Sequence, residues 1–83
     1  MTDIFRTMDL NLLRVFAALM AEGSVTRAAD RLALSQPAVS NALGRLRSTL
    51  NDVLFEKVSS GVRPTARARE LWSILQPLSL IHI

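Results

Sequence analysis

Apolar residues recur along most of this chain at the spacing of a helix rather than in the alternation of a strand. Leu12, Leu13, Phe16, Ala17, Leu19 and Met20 stand three and four apart and predict a first helix, with Asp9 as its N-cap and Gly23 as its stop. Ser24 caps a second helix, which turns Val25, Ala28, Ala29 and Leu32 inward and Thr26, Arg27, Asp30 and Arg31 to water. After a break at Ala33 and Leu34, Ser35 caps a third helix. Pro37 is tolerated in its first turn, where amides lack an intrahelical acceptor. Val39, Leu43, Leu46 and Leu50 form its apolar stripe, and Asn51 suits a left-handed stop. The pattern then changes. Val53 to Val58 is rich in β-branched and aromatic residues, Ser59, Ser60 and Gly61 predict a hairpin turn, and Val62 and Arg63 return to Pro64, which ends the pairing. Thr65 caps a fourth helix striped by Leu71, Trp72, Leu75 and Leu78, with Arg67, Arg69 and Glu70 on its wet side.

The third helix departs from an ordinary solvated helix on the face opposite its stripe. At about 100° per residue that face carries Pro37, Asn41, Gly44 and Ser48, flanked by Ser40 and Arg45. Water-facing positions usually hold Glu, Lys and Gln, which form helices better than Gly, Ser and Asn. Close approach to a polyanionic surface accounts for small polar residues here. The second and third helices, joined by a short turn, fit a helix-turn-helix, with Ala29 and Ala33 as the small residues where they pinch together and the hairpin as an added wing.

Composition narrows the choice. Eighty-three residues, 49% hydrophobic and 20% charged, make one small globular domain with a thin core, one that leans on a partner chain. There is no cysteine, hence no disulfide or thiolate metal site, and the single histidine, His82, has no ligand neighbours. Phosphate-cradling and dinucleotide glycine patterns are missing, and Glu22, Glu56 and Glu70 have no base partner at useful spacing. The chain therefore reads as a non-enzyme without cofactors. The apolar tail from Leu71 to Ile83 is shorter than the roughly 20 residues that cross a bilayer, and no signal peptide precedes it. A cytoplasmic protein without a membrane partner is expected.

Net charge is +3, with ten Lys and Arg against seven Asp and Glu. Its placement says more than its size. Up to Leu34 four arginines (Arg6, Arg14, Arg27, Arg31) cancel four acids. From Ser35 onward six bases (Arg45, Arg47, Lys57, Arg63, Arg67, Arg69) face three acids, which assigns an anionic partner mainly to the C-terminal part. Arg31, Arg67 and Arg69 are expected to be solvated or paired with Asp30 and Glu70, and Arg14 to lie on the wet face of the first helix.

From about Met8 to Pro77 the chain resembles the LysR-type bacterial transcriptional regulators. The resemblance runs through Leu13-x-x-Phe16, Ser24-Val25-Thr26-Arg27-Ala28-Ala29, Leu32-x-x-Ser35-Gln36-Pro37-Ala38-Val39-Ser40, Leu54-Phe55-Glu56-Lys57 and Pro64-Thr65-x-Arg67-Ala68. It implies a mainly α fold: a winged helix-turn-helix with a three-helix core and a β-hairpin wing, followed by the start of a linker helix. Residues 1–7 then form an extension, 8–65 the DNA-binding domain and 66–83 a truncated linker and dimerisation helix.

Carried over by position, the resemblance implies sequence-specific binding of double-stranded DNA, with the helix of residues 35–50 in the major groove. Gln36, Pro37, Ser40 and Asn41 lie nearest the base edges, with Ser35 at the helix start. Arg45 reaches a phosphate or guanine, and Thr26, Arg27, Lys57 and Thr65 hold backbone phosphates. Ser59, Ser60 and Arg63 follow the minor groove. Many members carry Arg at position 57 and a basic residue near 60; Arg47 stands where an acid is common and Asn51 where glycine is usual. Leu71, Trp72, Leu75 and Leu78 are expected to pair with a second copy, since exposed apolar stripes seldom persist alone. Pro77 is expected to interrupt or kink that helix. The family's large effector-binding domain is missing, so the chain reads as a fragment without a small-molecule site. The competing reading is a helical interaction module that forms mixed dimers with full-length regulators.

Overall fold

The computed structural model describes the backbone of residues 10–81 and the side chains of residues 10–76. Asp9 as a cap, the 1–7 extension, a domain start at Met8, His82, and the side chains of Pro77 and Leu78 lie outside the described residues. The elements are α1 (Leu10–Glu22), α2 (Val25–Leu32), α3 (Gln36–Leu50), β1 (Phe55–Val58), β2 (Gly61–Pro64) and α4 (Ala66–Ile81). The fold is mostly helical with one antiparallel hairpin, as expected.

Helix α1 is the hub. Helices α2, α3 and α4 all pack on it, so it buries Val15 and Ala18 besides the expected Leu12, Leu13, Phe16 and Leu19, while Ala17 and Met20 are half-buried. The stripe is wider than its spacing predicts because three partners surround the helix. On α2, Ala28 and Ala29 are buried and let neighbours close in; on α3, Val39, Leu43, Leu46 and Leu50 are all buried.

Local signals fix the ends of these helices. The Ser24 hydroxyl accepts from the Arg27 amide, and that of Ser35 from the Ala38 amide, both at 3.2 Å, each satisfying an orphan first-turn donor. Asn51 stops α3 in the left-handed region (φ 52°, ψ 47°), as expected. Ala33 corrects an expectation. It does not pinch α2 against α3 but is exposed and left-handed (φ 57°, ψ 41°), closing α2 through a bond from the Leu34 amide to the Ala29 carbonyl at 2.9 Å.

Between α3 and the hairpin the backbone makes a tight turn. The Phe55 amide reaches the Val53 carbonyl at 2.7 Å across Leu54, which has a positive φ of 65° and is fully buried. Such a conformation persists where its surroundings over-determine it. Asp52 Oδ1 accepts from the Leu54 amide at 2.7 Å, the Thr65 amide donates to the Leu54 carbonyl at 2.8 Å, and Arg47 donates to the carbonyls of Val53 (2.8 Å) and Phe55 (2.9 Å).

The hairpin pairs Phe55 with Pro64 through Val58 with Gly61, around a Ser59-Ser60 turn. Phe55 packs edge-on against Phe16 with centroids 5.8 Å apart, a favourable geometry for two quadrupoles. At its far end the Val62 amide donates to the Gly23 carbonyl at 2.9 Å, which ties β2 to the α1–α2 turn. Gly61 (φ 142°) permits this, since a Cβ there would overlap the Gly23 carbonyl oxygen.

Helix α4 corrects the expected dimer seam. Leu71 and Leu75 are buried in the same cluster as Phe16 and Leu46, and Trp72 lies half-buried with its ring 6.0 Å from that of Phe16. They are spent inside the chain because α2 and α3 leave one side of α1 uncovered. Among the described residues, the large apolar side chain that α4 leaves to solvent is Ile74 instead. The element changes at 65/66, but the packing continues across it through Ala68, Leu71 and Leu75. The helix also runs through Pro77 to Ile81 rather than stopping there.

Candidate nucleic-acid interface

The polar face of α3 is presented to solvent as its composition suggested. Ser35, Gln36, Pro37, Ser40, Asn41, Gly44, Arg45 and Ser48 are all exposed, while the opposite stripe secures the helix to the core. Capping at Ser35 and the proline in the first turn hold the N-terminal end of this face in helical geometry, ready to meet a surface without further ordering.

Two other segments carry the remaining expected residues. Thr26 and Arg27 are exposed in the first turn of α2, immediately after the Ser24 cap. Lys57, Ser59, Ser60 and Arg63 are exposed on the hairpin. The bond between Val62 and Gly23 ties the turn end of the wing to the start of α2, so Arg27 and the hairpin share one corner of the fold. Among the described residues none gives Arg27, Lys57, Arg63 or Arg67 an ionic or side-chain hydrogen-bond partner, so these cations are available to phosphate. Glu56 is the register partner of Arg63 and offsets part of the wing's charge.

Thr65 is placed differently from its expected role. Its hydroxyl donates to Asp52 Oδ1 at 3.2 Å and accepts from the Ala68 amide at 3.1 Å, with the residue half-buried. The single O–H is committed within the fold, so Thr65 is the cap of α4 rather than a phosphate donor.

Three arginines are also engaged in ways that spacing did not reveal. Arg31 pairs with Glu22 at 3.1 Å, not with Asp30; the pair is exposed and contributes little to stability. Arg69 donates to the Pro64 carbonyl at 3.0 Å rather than to Glu70. Arg47 bonds the two carbonyls of the α3–β1 turn. The charge excess after Ser35 therefore divides: Arg47 and Arg69 brace the backbone around the wing, while Lys57, Arg63 and Arg67 reach solvent. No local signal marks these partners, because each lies five to nine residues away across a turn. Among the described residues there is no group of acidic or histidine side chains able to hold a metal, and no helix is long and apolar enough to cross a membrane.

Residues 10–69 match the profile of the bacterial regulatory helix-turn-helix protein, lysR family. The HTH-type transcriptional regulator LeuO of Escherichia coli (strain K12) is 53% identical over 78 residues, covering 93% of this chain and 25% of that protein. Among solved structures, a probable transcriptional regulator from Pseudomonas aeruginosa superposes with a TM-score of 0.83 at 45% identity, over 88% of this chain and 24% of the other. The DNA-binding domain of BenM, in complex with catB site 1 DNA, superposes with a TM-score of 0.80 at 33% identity, over 90% of this chain and 85% of that domain. The chain spans about a quarter of the length of the curated relatives it matches.

Proposed function

Because this chain belongs to the lysR family of bacterial regulatory helix-turn-helix proteins, we propose that it reads the sequence of double-stranded DNA with α3 in the major groove. The observation that carries the reading is the exposed, small and polar outer face of α3, capped at Ser35 and secured from behind by four buried apolar residues. Gln36 and Asn41 offer bidentate amides to adenine, Pro37 an apolar surface to a thymine methyl, Ser35 and Ser40 adaptable hydroxyls, and Arg45 a fork for guanine or phosphate. Thr26 and Arg27 hold the backbone on one side of the groove. Lys57, Ser59, Ser60 and Arg63 place the wing along the minor groove. Contacts to phosphate set register and carry no sequence information by themselves.

A second copy joins along α4, where Ile74 is 42% exposed and the helix continues to Ile81 beyond the last described core contact, Leu75. The dimer takes a roughly two-fold symmetric site with half-sites about one helical turn, or a multiple of it, apart. Binding to the chromosome locates the protein in the bacterial cytoplasm.

Enrichment of bound sites from a random duplex pool, followed by gel-shift titration, tests the reading. Gln36→Ala is expected to lose discrimination between enriched and random duplex by about 1–3 kcal/mol, while Arg27→Ala weakens both alike. Equal losses on both duplexes for Gln36→Ala would remove the base-reading role.

A further inference from the structure

Gly44 has no explanation within the fold. It stands inside the 15-residue α3 without the positive φ found at Gly23 and Gly61. A Cβ built on it meets nothing within 4 Å, whereas one on Gly61 would overlap the Gly23 carbonyl. Glycine is the poorest helix former after proline, so an unconstrained interior position should favour almost any other residue. Neither backbone conformation nor packing asks for glycine here, and the residue is exposed.

Its position supplies the reason. Gly44 follows Ser40 by four residues, Asn41 by three and Pro37 by seven, the spacing that keeps residues on one face of a helix. A helix with its side chains is about 10–12 Å across and the major groove about 12 Å wide, so the size of the facing residues sets how deep the helix sits. The base-edge candidates next to Gly44 are the short Ser40 and Asn41. Such short side chains reach a base only if the α3 backbone itself comes close.

Resting on the reading of α3 as the groove-entering helix, we propose that Gly44 is a specificity-determining position. Its missing side chain lets the backbone settle against the base-pair edges one turn past Asn41. Any larger group there lifts Ser40 and Asn41 away from the bases they read.

The test compares Gly44→Ala and Gly44→Leu with the parent in the full 83-residue chain. Melting is followed by circular dichroism, and affinity by fluorescence anisotropy on the duplex that the parent enriches and on random duplex. Both variants are expected to melt at or above the parent temperature, since Ala and Leu are strong helix formers. On the enriched duplex Gly44→Ala should bind about tenfold more weakly and Gly44→Leu more weakly still, with random duplex changed by less than about threefold. A variant that melts below the parent overturns the premise that the fold has no need of glycine. Equal losses for Ala and Leu assign the effect to helix flexibility and overturn the proposal. So does a Gly44→Ala chain that binds the enriched duplex as tightly as the parent, and in that case DNA reading by α3 survives. A parent chain that enriches no duplex overturns both.

Discussion

The outer face of α3 and the hairpin that follows it are neighbours in sequence, yet the chain holds them in opposite ways. On α3 the fold is served by one side only, Val39, Leu43, Leu46 and Leu50, and the side bearing Gln36, Pro37, Asn41, Gly44 and Ser48 is left to solvent. The hairpin has four residues per strand, and two such strands are marginal in isolation. It is therefore tied down at each end: by Phe55 against Phe16, by Arg47, Asp52 and Thr65 around the turn at Leu54, and by Val62 on the Gly23 carbonyl. A surface that reads a partner can vary without disturbing the core when it sits on the back of a well-anchored helix. An accessory wing has no core of its own and keeps its direction only through specific backbone contacts. Substitutions on the α3 face and at the contacts that anchor the wing should thus separate into binding effects and stability effects.

The largest stability effect is expected at Gly61. A methyl at that position overlaps the Gly23 carbonyl oxygen, so Gly61→Ala must either strain the backbone or release the wing from the α1–α2 turn. Overpacking of this kind costs about 1–3 kcal/mol, and the bond from Val62 to Gly23 would be lost with it. Urea denaturation of the variant checks the figure; a stability within 0.5 kcal/mol of the parent would show that the wing is held without the Gly23 contact.

Arg47→Ala comes next. It removes donors from the Val53 and Phe55 carbonyls, the second of them in a partly buried setting, beside a residue held at positive φ. A loss of about 1–2 kcal/mol is expected, smaller than at Gly61 because water can replace part of the bonding. Hydrogen exchange should localise the change: amides of Leu54 and Phe55 should lose protection while those of α1 keep theirs. Uniform loss across the chain would mean that Arg47 supports the whole domain and not the wing in particular.

This contrast also separates what the sequence disclosed from what it concealed. Helix spans and most caps were legible because their causes are local. Ser24, Ser35 and Thr65 bond amides three residues ahead, and Asn51 tolerates the left-handed region by its own chemistry. The α3 face was legible for the same reason, since periodicity alone separates Val39 and Leu43 from Asn41 and Gly44. Tertiary choices were not legible. Leu71 and Leu75 have the spacing of a dimer seam, and only the uncovered side of α1 decides that they fill the core of their own chain. Arg47, at a position where the family commonly has an acid, carries no local sign of its role, because the carbonyls it bonds lie six and eight residues away. Ala33 looked like a packing alanine because its left-handed backbone leaves no mark on the sequence.

The smallest stability effect, and the one that tests the comparison most directly, belongs to the α3 face itself. Asn41→Ala replaces a weak helix former with the best one at an exposed position. Propensity predicts a gain of up to about 0.7 kcal/mol, so the variant should melt slightly higher than the parent. If Asn41 reads adenine, the same change should cost about 1–3 kcal/mol in discrimination between enriched and random duplex. The two effects have opposite signs, and that opposition is the signature of a residue kept for a partner rather than for the fold. A thermal melt and a binding titration on the same sample measure both. A variant that melts lower would assign Asn41 to the structure after all, and would place the outer face of α3 on the same footing as the wing.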